Sequence, residues 1–241
     1  MKLKNKIALV TGSSRGIGKA IALMLSKEGA KVIVNYSKSE KEANEVLKEI
    51  KKNSDGIAIK CDVSDEKAAK EMIDRILKKF GRIDILVNNV GKYIDGDEWN
   101  GSSEIWEETL KYNLIPAMNV SKYVIEIFQK QKSGIIVNIA SRMSVSGKFD
   151  AIAYSAAKAG IVSITQSYAK LLSPFGRANA ISPGAVKAGY WLRAPKEELE
   201  QTIATLPKKR LIEPEEIANK VLFLVSDESK EINGQNILML G

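Results

Sequence analysis

Residues 6–18 read KIALVTGSSRGIG, a short apolar run that passes directly into a turn with three glycines. The apolar run predicts a buried β-strand, and from Gly16 onward apolar residues recur at helical spacing. Glycines at 12, 16 and 18 allow the backbone to turn tightly and to approach a pyrophosphate, while the N-terminus of the helix offers free N–H groups to that anion. A plain strand-to-helix turn is the alternative. The position of the turn, between a first strand and a first helix, favours a dinucleotide site.

Strand-like and helix-like segments alternate along the rest of the chain. The predicted strands are residues 6–11, 31–36, 56–61, 84–89, 134–141, 177–182 and 235–240. The predicted helices are 16–29, a segment that begins at a Ser39–Glu42 capping box, 65–80, 103–131, 153–173 and a segment that begins at Pro214. This pattern predicts an α/β fold, a single Rossmann-type doubly wound parallel sheet of about seven strands with helices on both faces.

A single domain, residues 1–241, accounts for the whole chain. Its least regular stretch is 187–212, which we expect to be either a mobile segment over the substrate or a long surface loop. No apolar run approaches the roughly 18 residues of a membrane span, and the N-terminus has no signal-peptide layout. We therefore expect a cytoplasmic protein that does not interact with membranes.

The composition excludes several kinds of chemistry. The chain has no histidine, which rules out a Ser-His-Asp triad, a Cys-His dyad and any His-ligated zinc site. Cys61 is the single cysteine, so no intrachain disulfide can form, and we predict no metal site. Acid–base work must then fall to Tyr, Lys, Asp or Glu.

The net charge of +8 suits an anionic cofactor or an acidic carrier protein, and nucleic acid is a third possibility. The lysines are spread along the chain, often beside glutamates, which is typical of solvated helix faces. No basic stripe with interleaved aromatic residues occurs, so we do not expect nucleic-acid binding.

The end of the second strand indicates which dinucleotide is bound. In this type of fold an acid near that point binds the ribose 2′-hydroxyl of NAD(H), whereas cationic groups suit the 2′-phosphate of NADP(H). No Asp or Glu occurs between residues 31 and 39, and Arg15 and Lys38 are available nearby. The sequence therefore favours NADP(H) over NAD(H).

Tyr154 and Lys158 are separated by one helical turn and are expected to share a helix face. A neighbouring ammonium lowers the pKa of a tyrosine, so this pair can do acid–base work without histidine. Ser141 ends the predicted fifth strand, at the edge of the sheet where ligands bind, with Ser144 and Ser146 as less favoured alternatives. Asn113 is an unusual residue inside a helix, where it serves either the site or a kink beside Pro116.

Together these residues resemble the short-chain dehydrogenase/reductase family over nearly the whole chain. The matching motifs are TGSSRGIG at 11–18, Asp62-Val63, Asn88-Asn89-Val90-Gly91 and Ser182-Pro183-Gly184, and Asn113, Ser141, Tyr154 and Lys158 match the catalytic tetrad in order and spacing. Residues 210–229 and the NGQ that follows are most similar to the 3-oxoacyl-[acyl-carrier-protein] reductase branch. The chain departs from the family pattern at Val90 and at Ala188, where the family often has alanine and threonine.

The resemblance implies roles for these residues. Tyr154 would protonate the developing alkoxide, Lys158 would hold the nicotinamide ribose and lower the Tyr154 pKa, Ser141 would orient the carbonyl, and Asn113 would anchor a relay water. The implied cofactor contacts are Gly12, Ser14, Arg15, Gly16, Ile17, Gly18, Asn35, Tyr36, Ser37, Asp62, Val63, Asn89, Val90, Gly91, Tyr154, Lys158, Pro183, Gly184 and Val186.

The expected activity is NADPH-dependent reduction of a 3-oxoacyl thioester, with Lys130, Lys132 and Arg177 facing an acyl carrier protein or coenzyme A. One alternative is a sugar, polyol or small-ketone dehydrogenase, in which Tyr190 and Trp191 either line the pocket or simply cover the sheet. Another is a non-catalytic NADP(H)-binding regulator, against which the intact tetrad argues. The resemblance also implies a homotetramer, with the helices at 103–131 and 153–173 across an interface. There Leu171, Leu172 and Phe175 belong either to that interface or to the core of one chain.

Overall fold

The apolar runs form seven strands, all parallel, in one sheet of order β3-β2-β1-β4-β5-β6-β7. The structure is a computed structural model that describes residues 1–241. The strands are β1 (Ile7–Val10), β2 (Lys31–Tyr36), β3 (Gly56–Lys60), β4 (Ile85–Asn88), β5 (Gly134–Ile139), β6 (Gly176–Pro183) and β7 (Asn236–Met239). The predicted doubly wound α/β sheet is thereby confirmed.

Nine α-helices cover the two faces of this sheet. They are α1 (Gly16–Lys27), α2 (Glu40–Ile50), α3 (Glu66–Phe80), α4 (Ser103–Asn113), α5 (Ile115–Gln131), α6 (Met143–Ser146), α7 (Ile152–Leu172), α8 (Lys196–Thr205) and α9 (Pro214–Val225). Short 3₁₀ turns occupy Gly189–Leu192 and Asp227–Ser229. No helix combines the length and the apolar character that a membrane span requires.

Alternate residues of each strand enter two separate cores, because successive side chains of a strand point to opposite faces. Ala8 and Val10 pack with α1, α2 and α9, whereas Ile7 and Leu9 pack with α3, α5 and α7. Burial on both faces explains why the strands are continuous apolar runs. Each fully buried aliphatic side chain contributes about 1.5–3 kcal/mol, so the sheet is a firm base for the groups at its edges.

The prediction of one helix over 103–131 was wrong. The chain breaks at Leu114, whose φ of −120° and ψ of −52° separate α4 from α5. Pro116 explains the break, because it has no N–H to donate to the Tyr112 carbonyl and its ring would clash with that carbonyl in a continuous helix. Asn113 therefore lies at the end of a helix and not in its interior.

One smaller expectation also fails. Ser39 stands at the N-cap of α2 without any side-chain capping bond, so the Ser39–Glu42 capping box is absent. Segment 187–212 is more regular than expected, because it contains a 3₁₀ turn and the ten-residue helix α8. Near the end of α7, Leu172 is fully buried within the chain while Leu171 remains half exposed.

Candidate active site

The residues singled out from the sequence gather at the carboxyl edge of the sheet. Gly12 follows β1, Asn89 follows β4, Ser141 follows β5 and Gly184 follows β6. These four strands are adjacent, so the loops that leave them converge on one cleft. In open parallel sheets this edge is where ligands bind.

The glycine turn after β1 is closely packed against the end of β4. Gly12 and Gly16 have φ values of 62° and 54°, in the left-handed region that favours glycine. A Cβ on Gly18 would lie 2.4 Å from the Gly12 carbonyl oxygen and 2.6 Å from Asn89 Nδ2. Asn89 Nδ2 in turn donates to the Thr11 and Gly12 carbonyls at 3.0 and 3.2 Å. The turn and the helix therefore approach so closely that only glycine fits at position 18.

Backbone N–H groups at this turn lack partners within the chain. Arg15 stands at the N-cap of α1 but gives no side-chain cap, and the N–H groups of residues 14–18 donate to no other group. Unpaired donors at a helix N-terminus favour an anion such as a pyrophosphate. The turn therefore fits the diphosphate of a dinucleotide.

Asn35, predicted as a cofactor contact, has its side chain engaged elsewhere. It is 1% exposed, and its Oδ1 accepts from the Gly12 N–H at 3.1 Å while its Nδ2 donates to the Cys61 carbonyl at 3.0 Å. Asn35 thus joins the glycine turn to the ends of β2 and β3. Tyr36 is also buried, which leaves Ser37 exposed at this rim.

The structure brings Ser141, Tyr154 and Lys158 together. Ser141 follows β5 directly after Ala140, is 9% exposed, and its Oγ accepts from the Met143 N–H at 3.2 Å while lying close enough to Tyr154 to lower the pKa of that phenol. Lys158 is 4% exposed, and its Nζ lies 5.6 Å from the centre of the Tyr154 ring and donates to the Ile139 carbonyl at 3.0 Å. A hydroxyl, a phenol and an ammonium thus face one point at the edge of the sheet.

Burial sets the protonation states of this group. Burial raises the pKa of Tyr154, and the nearby Ser141 hydroxyl opposes that rise. Burial lowers the pKa of Lys158 to about 8. We expected Lys158 to lower the Tyr154 pKa, whereas desolvation is the dominant influence. At neutral pH Tyr154 therefore keeps its proton and can act as an acid.

Asn113 is buried beside this group, and its side chain is bound to backbone. Its Nδ2 donates to the Lys92 and Thr109 carbonyls at 2.8 and 2.9 Å, and its Oδ1 accepts from the Lys92 N–H at 3.0 Å. A Cβ on Gly91 would lie 2.9 Å from Asn113 Oδ1 and 3.1 Å from Lys158 Nζ. Asn113 therefore closes the end of α4 and, with Lys158, flanks Gly91.

The carboxyl ends of β3 and β6 carry the remaining predicted contacts. Val63 is buried, and the Asp62 carboxylate accepts from the N–H and the hydroxyl of Ser64 at 3.0 and 2.7 Å. After Pro183 and Gly184, the Val186 N–H donates to no group in the chain, although the residue is 6% exposed. An unpaired buried N–H is rare in proteins, so it suits a ligand carbonyl.

Comparison with known proteins identifies the family. The family model described as "Enoyl-(Acyl carrier protein) reductase" matches residues 12–241. The chain belongs to the short-chain dehydrogenase/reductase family. It is 35% identical to the 3-oxoacyl-[acyl-carrier-protein] reductase FabG of Thermotoga maritima and 37% identical to that of Staphylococcus epidermidis. These matches cover 98% of this chain and 97% and 98% of the relatives.

Two solved structures of the short-chain dehydrogenase/reductase family share its architecture. An NAD⁺-bound xylitol dehydrogenase superposes with a TM-score of 0.93 at 30% identity, with full coverage of both chains. A levodione reductase superposes with a TM-score of 0.94 at 29% identity, covering 99% of this chain and 97% of that one. The fold is therefore shared by dehydrogenases whose names refer to different substrates.

Within this family fold, a row of aromatic rings extends from Tyr154 and joins the predicted Tyr190 and Trp191 through Tyr93, which we did not predict. The ring centre of Tyr93 lies 6.4 Å from that of Tyr154 and 5.6 Å from that of Tyr190, which lies 5.3 Å from Trp191. The Tyr93 hydroxyl donates to the Asp150 carbonyl at 2.8 Å. The position of Tyr93, two residues after the NNVG motif, was the available signal.

Carboxylates surround this aromatic row. The Tyr190 hydroxyl donates to Glu198 Oε2 at 2.5 Å, and that contact raises the pKa of Tyr190 to about 12. Burial raises the pKa of Tyr93, and four nearby carboxylates add to the rise: Asp150, Asp97, Asp95 and Glu198. The surface that extends from Tyr154 is thus aromatic and acidic.

The basic residues predicted to face an anionic substrate lie elsewhere. Lys130, Lys132 and Arg177 lie near the starts of β5 and β6, at the amino edge of the sheet. The Arg177 guanidinium donates to the Ser226 carbonyl at 2.6 Å and is half buried. These three residues therefore do not reach the Tyr154 site of the same chain.

Proposed function

We propose that this short-chain dehydrogenase/reductase uses NADPH to reduce the keto group of a 3-oxoacyl thioester carried by acyl carrier protein or coenzyme A. The observation that carries the reductase assignment is the protonated Tyr154 hydroxyl close to Ser141, with the buried Lys158 Nζ 5.6 Å from the Tyr154 ring centre. The thioester is supported by the FabG relatives, which are 35–37% identical over nearly their whole length.

A bound nicotinamide would supply the hydride to the carbonyl carbon. The Ser141 hydroxyl donates a hydrogen bond to the carbonyl oxygen and orients it. The Tyr154 hydroxyl gives its proton to the same oxygen as negative charge develops there, which is general acid catalysis. The Lys158 ammonium stabilises the phenolate that remains, because an adjacent cation favours the charged form.

The residues at the carboxyl edge would hold NADP(H). The N–H groups of residues 14–18 suit the pyrophosphate, and the Val186 N–H suits the nicotinamide carboxamide. Arg15 and Lys38 are exposed at the rim of the adenosine side, and no carboxylate occurs from 35 to 38. Two cations without a competing acid support the 2′-phosphate of NADP(H), although one structural neighbour is bound to NAD⁺.

A second candidate, oxidation of a sugar or polyol or reduction of a small ketone, is favoured by the aromatic and acidic surface that extends from Tyr154. Tyr93 and Tyr190 offer flat rings to apolar C–H faces, and two neighbouring carboxylates outside the core, Asp95 and Glu198, accept hydrogen bonds from hydroxyls. The same carboxylates repel the phosphates of coenzyme A or acyl carrier protein. The xylitol dehydrogenase neighbour fits this alternative.

We also propose the homotetramer that the family resemblance implies. An apolar concavity of about 310 Å³ lies on the faces of α4 and α7, and it is lined by Trp99, Trp106, Leu110, Ile152, Ala153 and Ala156. Trp99 is 73% exposed, and Ile115 and Met118 add exposed apolar surface nearby. Contiguous exposed apolar patches mark interfaces, and a second copy would cover this one.

The test follows nicotinamide absorbance with NADPH or NADH against acetoacetyl thioesters, small ketones and, in the oxidative direction, polyols. Thioester reduction with NADPH supports the proposal, and turnover of ketones or polyols alone moves the protein to the second candidate. Tyr154→Phe should lower kcat at least 100-fold, within the usual range for a lost general acid, while cofactor still binds. Tight cofactor binding without any turnover would instead support the regulator.

A further inference from the structure

Helix α7 carries Tyr154 and Lys158, yet its own sequence does not cap its N-terminus. The residue at its N-cap, Ala151, has no side-chain capping bond. The first N–H groups of a helix have no partner within the helix and need one elsewhere. In α7 the partners of these N–H groups matter for the proposed catalysis, because Tyr154 lies in the first turn of the helix.

Asp97 supplies these partners from a loop far away in the sequence. It is 0% exposed, and its Oδ1 accepts from the Ala153 N–H at 2.8 Å while its Oδ2 accepts from the Tyr154 N–H at 2.7 Å. Its own carbonyl accepts from the Ile152 N–H at 3.1 Å. One residue thus binds three successive N–H groups, including that of Tyr154.

The chemistry of this contact is strong for a cap. Both N–H groups donate to the Asp97 carboxylate, so both hydrogen bonds are charge-assisted. A carboxylate at a helix N-terminus is also favoured by the helix dipole. Each bond is short, as expected when the acceptor is ionised. The main chain of Tyr154 is therefore fixed directly by Asp97.

The loop that carries Asp97 is itself held at several points. Gly96 adopts a φ of 81°, and a Cβ on Gly101 would lie 2.5 Å from the Gly96 carbonyl oxygen. The Trp106 indole N–H of α4 donates to the Glu98 carbonyl at 3.2 Å. Tyr93 adds the bond to the Asp150 carbonyl just before α7. The loop, which lies between β4 and α4, is therefore bound both to α4 and to the start of α7.

We infer that Asp97 is a positioning residue for the reaction, whose carboxylate places Tyr154 by binding its main-chain N–H and that of Ala153. The inference rests on the proposed function only in that Tyr154 acts as the proton donor, and it holds for any carbonyl substrate. The competing explanation is that Asp97 stabilises the fold without affecting the geometry of Tyr154.

Asp84 provides a matched control. It is 3% exposed and its Oδ2 accepts from the Ile7 N–H at 2.8 Å, so it is also a buried carboxylate bound to backbone. It precedes β4 at the amino edge of the sheet, opposite the candidate site. Asp84→Asn should therefore lower Tm without displacing Tyr154.

The experiment compares Asp97→Ala, Asp97→Asn and Asp84→Asn with the unchanged protein, using the best substrate of the panel. We expect kcat to fall about 100-fold in Asp97→Ala, the loss typical of a displacement of about 1 Å at a reacting group. Asp97→Asn keeps one acceptor oxygen and should retain about ten times more activity than Asp97→Ala. The Kd for NADPH should stay within about twofold in both, since an unchanged ground-state affinity marks a loss confined to the transition state.

Three outcomes would overturn the inference. The first is a kcat of Asp97→Ala within about twofold of that of the unchanged protein. The second is an equal loss of kcat in Asp84→Asn at the same drop in Tm. The third is a rise in the Kd for NADPH that parallels the loss of kcat. Should Asp97→Ala fail to fold, Asp97→Asn and Asp84→Asn decide the matter by the same comparison.

Amide hydrogen exchange separates this inference from the proposed function. The N–H groups of Ala153 and Tyr154 should exchange slowly in the unchanged protein and in Asp84→Asn, and rapidly in Asp97→Ala. If the unchanged protein turned over no substrate, the proposed function would fail alone, and slow exchange at Tyr154 would still support the placement by Asp97. Rapid exchange at Tyr154 in the unchanged protein would refute that placement.

Discussion

The substitution Gly18→Ala tests whether the glycine turn binds the cofactor. Its new Cβ would lie 2.4 Å from the Gly12 carbonyl oxygen, 2.6 Å from Asn89 Nδ2 and 2.9 Å from Ser13 Cα. Two of these neighbours are backbone, and Asn89 Nδ2 is held by two hydrogen bonds, so no flexible side chain can yield. The turn and the start of α1 must separate by about 1 Å to restore ordinary contact.

The expected cost follows from that displacement. Overpacking of this kind destabilises the packed conformation by about 1–3 kcal/mol. Here the strained residues are those whose N–H groups would face the pyrophosphate. If most of that cost is lost from binding, the Kd for NADPH rises roughly 10- to 100-fold. Titration of NADPH fluorescence measures the affinity, and thermal unfolding without cofactor measures stability separately.

Gly81→Ala is the control for this prediction. Gly81 has a φ of 74° at the end of α3, and a Cβ there would meet no atom within 4 Å. Alanine at a positive φ strains the backbone, so this variant should lose stability and retain its affinity for NADPH. An affinity within twofold of the unchanged protein in Gly18→Ala would refute the assignment of this turn to the cofactor.

Three further outcomes follow from the site. Gly91→Ala should lower kcat about tenfold or more, because its Cβ displaces Asn113 Oδ1 or Lys158 Nζ; steady-state kinetics with unchanged Tm would isolate this effect. The Lys158 pKa of about 8 lies below the ordinary lysine value, so its burial destabilises the fold at pH 8 and below, and this penalty fades as the pH rises toward 10.5. The free energy of unfolding of Lys158→Met, measured by urea unfolding, should therefore exceed that of the unchanged protein by up to about 3 kcal/mol at pH 7 and by less at pH 10. An equal increase at both pH values would contradict the lowered Lys158 pKa. Tyr93→Ala should raise KM for the substrate several-fold with a constant Kd for NADPH, since Tyr93 contacts the rings of Tyr154 and Tyr190, whereas Tyr93→Phe should retain the ring contact and most of the affinity.

The fold could be predicted because its signals are local. Apolar runs separated by helical periodicity define the strands, and the glycine turn at 12–18 fixes where the first helix begins. The break at Leu114 could have been predicted as well, since Pro116 in a helix interior would lose a hydrogen bond and clash with the carbonyl four residues earlier. The missing Ser39 cap could not, because a capping motif does not determine whether its side chain rotates toward the helix.

The site was only partly predictable, because several of its contacts join distant parts of the chain. Ser141, Tyr154 and Lys158 follow from strand ends and helical spacing. The contact from Asp97 to the Tyr154 N–H spans 57 residues, and no local pattern marks an acid that caps a helix other than its own. The direction of the Tyr154 pKa likewise depends on burial, which outweighs the neighbouring cation and has no signature in the spacing of the two residues.

The carboxyl edge of the sheet contains two kinds of polar group. Some side chains are bound to backbone and hold the loops, and some backbone N–H groups have no partner and can bind a ligand. The side chains of Asn35, Asn89, Asn113 and Asp97 are all bound to backbone, so each holds a loop in place. The N–H groups of residues 14–18 and of Val186 have no partner in the chain, although buried backbone donors are nearly always paired. A ligand with a diphosphate in its middle and a carboxamide carbonyl at one end would pair both sets, and a nicotinamide dinucleotide has these groups. Asn35 and Asn89 hold the glycine turn by hydrogen bonds to its backbone, and such preorganisation by supporting residues is what a functional site requires.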